Sequence, residues 1–557
     1  MKNQHPLFER LKFVRWLGFS NTCLFFTLIF FALSLAPSLL PRTPLIQGFL
    51  SGFTAAVGFG IGKFVFWLWV FLEIPIFMGR PLRALWTLGL LIAGMLVLYF
   101  AWLAGSWQDS VRALMNMDKL EGYYIPVVII VAVPTMLVLV LLGQAFATVI
   151  SRCSNWISKL IPRRISLFLS FLIVSTLLVA ATSGTIGRWA VERLDSAFLH
   201  WDGLIEDGTP KPILADFTGG PNSLVEWRGL GRQGRRFISR VTTKDDIAAF
   251  TSIPAKQPLR IYVGLGAAET PDARAKLALK EMIRIGAFER SVLVLATPTG
   301  TGMVDPAAID ALEFLHHGDT AVVAQQYSYL TSYVSLFLEP GYAATSATAL
   351  FREVHGYWSR LPRQTRPELY LHGLSLGSYG SEQSIDFYYM LDNLIGGAVW
   401  SGPTYRNPRW ASFTESRNSD SPEWLPIVRD SSLVRFTNQK SALNLAGTSW
   451  GPLRLVYLQY ASDPVTFFSP FAFLHQPAWM SDPRGPDVSK KLTWYPIITG
   501  LQIAFDMTQS AATERGFGHM YSASGYIDAW IAVTEPQGWS PEDVDRLKKY
   551  LIHEKGL

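Results

Sequence analysis

Gly373-Leu374-Ser375-Leu376-Gly377 fits the pattern Gly-x-Ser-x-Gly, in which a serine rides a sharp strand-to-helix turn between small residues. Chance produces this pattern in roughly a quarter of chains this long, and the chain holds a second copy, Gly447-Thr448-Ser449-Trp450-Gly451. Context separates the two. The first follows the apolar run Glu368–His372 and precedes a helix-compatible stretch, Ser378–Leu391. The second is followed at once by Pro452 and a β run, which makes Ser449 a turn serine. Ser375 is the expected nucleophile.

A serine hydroxyl needs a general base, and the base needs a carboxylate to orient it. Around a strand–serine–helix turn these follow in the chain order Ser, Asp or Glu, His. The run Leu453–Gln459 leads into Tyr460-Ala461-Ser462-Asp463-Pro464, so Asp463 stands at a strand's C-terminal edge and is favoured over Asp482 and Asp506. Three histidines follow Ser375. His475 comes too soon after Asp463 for an intervening helix, and His553 lies in a charged terminal helix, Pro541–Lys555. His519 sits in the glycine-rich stretch Arg515–Tyr521, after an apolar helix near Ile497–Thr508, and is the expected base. An oxyanion hole needs two backbone N–H groups. The expected donors are Leu376, directly after the serine, and Leu265 or Gly266 in the turn after the first strand. Phe467, Phe468 and Phe471 follow Asp463 and are read as an apolar lip or acyl pocket. The chemistry requires no metal and no cofactor. The only cysteines, Cys23 and Cys153, lie far from these residues in the chain and supply no zinc site for them.

Elements able to carry such residues begin near Leu259. Short apolar runs at Leu259–Val263, Ser291–Ala296, Ala321–Gln325, Glu368–His372, Ala398–Ser401 and Leu453–Gln459 alternate with helical stretches. Thr270-Pro271 opens a helix through Ile285, with others at Pro306–Leu315, Ala344–Trp358 and Tyr379–Leu391. Such alternation predicts a mostly parallel sheet covered on both faces, with its site at the strands' C-terminal ends. Residues 188–257 read as a linker and entry subdomain, 258–557 as the catalytic domain, and about 403–452 as a cap-like insertion.

The first third is different. The whole chain is 49% hydrophobic and 17% charged, against about 25% charged in soluble proteins. Five apolar runs explain the difference: Leu17–Ala36, Ile46–Phe71, Ala84–Ala104, Ile125–Ile150 and Ile165–Gly187. Each is near the ~20 residues that cross a hydrocarbon core, so residues 1–187 read as a transmembrane helical domain. Ten Lys and Arg lie before the first span and in alternate loops, against three in the others. That bias puts the N-terminus in the cytoplasm and, after five crossings, the remainder on the extracytoplasmic side. The net charge of +6 divides into +9 before Arg188 and −3 after it. A basic excess confined to the apolar end leaves no electrostatic case for nucleic acid.

Several stretches carry a more specific likeness: Arg284–Arg290, Thr297–Gly302 with Asp305-Pro306, His317–Thr320, Gln326–Leu330 and Leu371–Gly377. With the apolar N-terminal region, they resemble a bacterial alpha/beta-hydrolase family that carries an N-terminal membrane domain. The resemblance implies an α-helical membrane domain followed by an α/β-hydrolase domain in the cytoplasmic membrane, acting as an esterase- or lipase-like serine hydrolase. Its catalytic serine maps onto Ser375, and its glycine-flanked histidine followed by an aromatic maps onto His519. The sequence departs from the general hydrolase pattern in showing no clear last strand before His519. Thr297–Gly302 lacks the Lys-Ser/Thr ending of a nucleotide-binding loop. The expectation is ester hydrolysis of a lipid or envelope-linked molecule beside the bilayer. An acyltransferase would use the same triad, and a non-catalytic receptor or assembly factor would carry a degraded one.

Overall fold

Thr43-Pro44 starts a long helix by the local chemistry of its ends: the Thr43 hydroxyl accepts the Ile46 N–H and Pro44 occupies the first turn. A computed structural model describes residues 20–75, 79–183, 202–204, 206, 208–330, 335–336, 341–386, 390, 392–445 and 448–557. The chain divides into two compact units. The helical unit comprises Met1–Glu192, Pro470–Pro477 and Val488–Asp506; the sheet unit comprises Arg193–Ser469, Ala478–Asp487 and Met507–Leu557.

The helical unit contains α1 (Asn21–Ser34), α2 (Pro44–Phe71), α3 (Arg80–Leu114), α4 (Tyr124–Ile157) and α5 (Arg163–Ser183). Four of these, α2 to α5, are long and apolar enough to cross a membrane. The first of the five expected spans corresponds to the shorter α1, and its run is described only in part. α1 has 14 residues, about 21 Å against a hydrocarbon core of about 30 Å; the start of its apolar run, residues 17–19, and the end of the fifth run lie outside the described residues. Leu98, Trp102, Ile130, Leu142, Phe168 and Leu177 are exposed on the outer faces, as lipid contact requires. α2 packs by close approach. A Cβ on Gly48 or Gly52 would lie 2.5 Å from Val131 Cβ or the Ala132 carbonyl of α4, and one on Gly58 2.5 Å from the Phe26 carbonyl of α1. Small residues four apart let helices meet this way where no hydrophobic drive exists between them.

The sheet unit is built on seven parallel strands: β1 (Leu259–Val263), β2 (Val292–Thr297), β3 (Thr320–Gln325), β4 (Glu368–Leu374), β5 (Gly397–Ser401), β6 (Val434–Thr437) and β7 (Arg454–Leu458). Their order is β1-β3-β2-β4-β5-β7-β6. Side chains are buried along almost every strand, as expected when helices cover both faces. The covering helices include α6 (Pro271–Arg284), α7 (Pro306–Leu315), α8 (Gly341–Trp358), α9 (Leu376–Ser384) and α10 (Ala523–Thr534). Two adjacent residues of β5 define the faces. Trp400 Nε1 donates to Ser381 Oγ of α9 at 2.9 Å, and Ser401 Oγ meets Tyr526 Oη of α10 at 2.7 Å. Alternation along a strand therefore puts α9 and α10 on opposite sides.

Two sequence expectations change within this unit. β6 lies inside the stretch read as a cap-like insertion, so part of 403–452 is sheet edge. Residues 202–257 include the helices Gly231–Ser239 and Lys244–Thr251 and fold against β1: Arg260 donates to the Phe237 carbonyl at 3.1 Å and the Arg240 carbonyl at 3.2 Å.

Candidate active site

β4 ends at Leu374 and α9 starts at Leu376, so Ser375 alone makes the turn, at φ 60° and ψ −128°. A non-glycine residue there stores about 1–3 kcal/mol of strain. The turn is held on both sides of the serine: its N–H donates to the Ser401 carbonyl at 3.0 Å, and its carbonyl accepts the Ser378 hydroxyl at 2.7 Å. The motif's glycines are steric necessities. A Cβ on Gly373 would run into the Gly377 backbone, and one on Gly377 into the carbonyls of Thr297 and Pro298.

Asp463 follows β7 and caps the short helix Pro464–Phe467, its Oδ1 accepting the N–H of Val465 at 2.8 Å and of Thr466 at 3.4 Å. That fixes the carboxylate and aims Oδ2 at His519 Nδ1, 2.7 Å away. Asp463 is fully buried, and the His519 side chain is 11% exposed. Because a carboxylate only accepts, Nδ1 is the donor in this bond. The same Oδ2 accepts the Tyr521 hydroxyl at 2.7 Å and the Thr466 hydroxyl at 3.1 Å. Burial and the adjacent carboxylate push the Tyr521 phenol well above its ordinary range, so it stays a donor.

Two devices seat the histidine loop. Gly516 and Gly518 take φ values of 98° and 56°, conformations glycine adopts without Cβ strain. The Gly518 N–H donates to Ser462 Oγ at 2.9 Å, and Ser462 donates onward to Asp487 Oδ2 at 2.6 Å. Burial raises the Asp487 pKa, while its hydrogen bonds to Ser462 and Gln439 hold it down. At the loop's other end, Arg515 Nη1 donates to the Tyr521 carbonyl at 2.8 Å and approaches Asp305 Oδ1 at 3.4 Å. Asp305 Oδ2 in turn accepts the Tyr526 hydroxyl at 3.1 Å.

Gly402 packs against the imidazole of His519. It directly follows Ser401, whose carbonyl binds the Ser375 N–H, and it has φ 50°. A Cβ on Gly402 would lie 2.6 Å from His519 Cε1 and 2.9 Å from Tyr521 Cε2. One stretch of backbone, 401–402, thus carries Ser375 on its carbonyl and the imidazole against its Cα.

The remaining expected residues fall as follows. Leu376 opens α9, where N–H groups have no partner within the helix. Leu265 and Gly266 follow β1, three strands from β4 and about 14 Å away at ~4.8 Å per strand. The Leu265 N–H already donates to Gln326 Oε1 at 3.2 Å. Sheet order therefore corrects that expectation: β2 is the neighbour of β4, and the loop after β2 is the one Gly377 packs against. Phe467 is buried against Trp410 and Trp479, and Phe468 against Tyr405. Phe471 is 75% exposed and belongs to the helical unit. Of the rivals, Asp506 is paired with Arg42, Asp482 and His553 are exposed, and Ser449 lies in coil between β6 and β7. Tyr521, Gly402, Ser462 and Asp487 were not singled out by sequence; the aromatic after His519 was the one available signal among them.

No curated protein and no solved structure matches the chain. Residues 35–241 match the N-terminal region of a family described as the alpha/beta-hydrolase family, and residues 259–547 match its main part. With more than half of its length matched by the main part and the parallel sheet in place, the chain belongs to the alpha/beta-hydrolase family.

Proposed function

We propose that this protein is a membrane-anchored serine hydrolase that cleaves an ester of a lipid or envelope-linked substrate through an acyl-enzyme. The observation that carries the proposal is the 2.7 Å Asp463–His519 pair beside the strained Ser375 turn. Ser375 Oγ attacks the ester carbonyl while His519 Nε2 takes its proton, and Asp463 stabilises the imidazolium without itself being protonated. The carbonyl oxygen becomes an oxyanion facing the Leu376 N–H and the loop 298–302. Collapse of the tetrahedral adduct breaks the ester C–O bond, and His519 returns the proton to the departing alcohol. Water, deprotonated by the same nitrogen, then adds to the acyl-enzyme and releases the carboxylic acid and free Ser375. The apolar helices supply the anchor, and tethering to a membrane favours acyl substrates.

A fluorophosphonate probe tests the chemistry. The purified chain should label, Ser375→Ala should not, and Ser449→Ala should label like the parent; labelling that survives Ser375→Ala overturns the proposal. The proposed orientation, N-terminus in the cytoplasm and catalytic residues outside, requires α1 to count as a crossing. With Cys23 and Cys153 replaced by Ala, a cysteine at Glu554 should react in intact cells with an impermeant maleimide. Reaction only after lysis would reverse the topology.

A further inference from the structure

Among the described residues of the helical unit, Arg42 and Asp506 form the ion pair with both side chains fully buried, Nε to Oδ1 at 2.8 Å. Asp506 Oδ2 also accepts the Ser38 hydroxyl and the Leu40 N–H, the latter at 3.3 Å. Arg42 Nη1 donates to Gln47 Oε1 at 3.1 Å, and its N–H to Gln108 Oε1 at 2.8 Å. One turn before Asp506, on the helix Ile498–Thr508, Gln502 Nε2 donates to the carbonyls of Ala36 at 2.9 Å and Ser34 at 3.3 Å. The segment between α1 and α2 is thus joined to one face of that helix at positions i and i+4.

Burying two ions costs several kcal/mol in desolvation, which a packed apolar pair avoids. What an ion pair adds is geometry. Each residue of an α-helix is rotated about 100° from the last, so a one-residue slip would swing Gln502 and Asp506 away from their partners together. The chain then runs a short way from this fixed point to the base. Asp506 is followed by Met507 and Thr508, where the helix ends, and the Ser510 N–H bonds back to the Met507 carbonyl at 3.4 Å. The Ser510 carbonyl accepts the N–H of His519 itself, at 3.1 Å. The backbone of His519 therefore hangs on a residue four positions after Asp506.

We propose that Arg42 and Asp506 are positioning residues for His519: the buried pair fixes the register of the helix Ile498–Thr508, and the helix sets the Ser510 carbonyl that holds the histidine. This rests on His519 being the base for Ser375. It assigns the segment before α2 a part in the acylation rate.

The test uses the full chain in detergent micelles and follows fluorophosphonate labelling over time. Final amplitude counts folded chains, and the rate constant reports how well the base is placed. Asp506→Asn should lower the rate at least tenfold while each monodisperse chain still labels to completion. Gln502→Ala, which removes no charge, should slow labelling about threefold at full amplitude, and it carries the test if Asp506→Asn does not fold. Gly58→Ala disturbs the helical unit between α1 and α2, away from this helix, and should change amplitude alone. An unchanged rate in both Asp506→Asn and Gln502→Ala overturns the proposal, as does a rate loss in Gly58→Ala equal to theirs. Persistent labelling of Ser375→Ala is a different result, which removes the catalytic reading beneath it.

Discussion

Gly402→Ala isolates the placement of the base from its chemistry, because it alters no acid, base or nucleophile. The added methyl would start 2.6 Å from His519 Cε1 and 3.0 Å from Nδ1. Ordinary carbon contacts lie at about 3.5–4.0 Å, so the ring must retreat by about 1 Å. A displacement of about 1 Å at a reacting group costs about 10²-fold in rate, close to 2.7 kcal/mol of barrier. A second cost falls on the fold. Position 402 has φ 50°, where an L side chain adds about 1–2 kcal/mol, a loss a domain of ordinary stability tolerates. The expected result is a folded protein with a slightly lower melting temperature, full labelling by fluorophosphonate and an acylation rate about 100-fold down. A near-parental rate would refute the placement of His519 against Gly402.

Asp463→Asn should cost about 10⁴ in acylation rate, because an amide at Oδ2 no longer enforces the Nδ1–H tautomer; a loss below tenfold would shift the acid role elsewhere. Tyr521→Phe removes a neutral donor to Asp463 and should slow acylation about fivefold, in line with ~1 kcal/mol for such a hydrogen bond, as read by initial labelling rates. His372, fully buried on β4, has its pKa lowered from 6.5 to about 4 by burial, and His316 is lowered likewise to about 4. The folded state thus holds both neutral while the unfolded chain protonates them. Stability is therefore present above pH 6.5 and is lost as the pH falls toward 4, by up to about 3 kcal/mol for each. Denaturant midpoints between pH 7 and 4 measure this, and His372→Gln should flatten the slope; a parental slope in that variant would place the linkage elsewhere.

Local signals made much of this molecule legible in sequence. Thr270-Pro271 does start a helix, with the Thr270 hydroxyl accepting the Ala273 N–H at 3.2 Å, and Ser540 caps Pro541–His553 through a capping box. Asp463 was recognisable because strand end and helix cap are neighbours in the chain. β6 escaped because Arg435 interrupts its short apolar run. The guanidinium is satisfied by the carbonyls of Ser431, Leu443 and Thr448 and lies over Trp450, partners outside the four-residue strand itself. The support under His519 was hidden by distance along the chain. Ser462 meets Asp487 across 25 residues and Gly518 across 56, and no periodicity encodes such pairs. In the helical unit, Gly48, Gly52, Gly58 and Gly62 stand at helical spacing on α2, a readable pattern whose meaning depends on which helices lie alongside.

Strand order decides which loop faces the nucleophile, and chain order does not reveal it. Reading along the chain makes the turn after β1 the natural second oxyanion donor, since it comes first and is rich in glycine. In the sheet, β1 lies at the edge and pairs with β3, while β2 lies between β3 and β4. Thr297 at the end of β2 is paired with Gly373 in the turn of β4. The loop that follows, 298–302, therefore meets the start of α9, where Gly377 has no room for a side chain. That loop is braced from behind: Tyr262 on β1 donates its hydroxyl to the Gly302 carbonyl at 2.6 Å. Within it, the N–H groups of Thr299 and Gly302 are spent on the carbonyls of Met303 and Thr299, and Pro298 has none. The second glycine of the motif and the threonine-glycine loop are then two sides of one contact, and the edge strand holds that loop in place from behind.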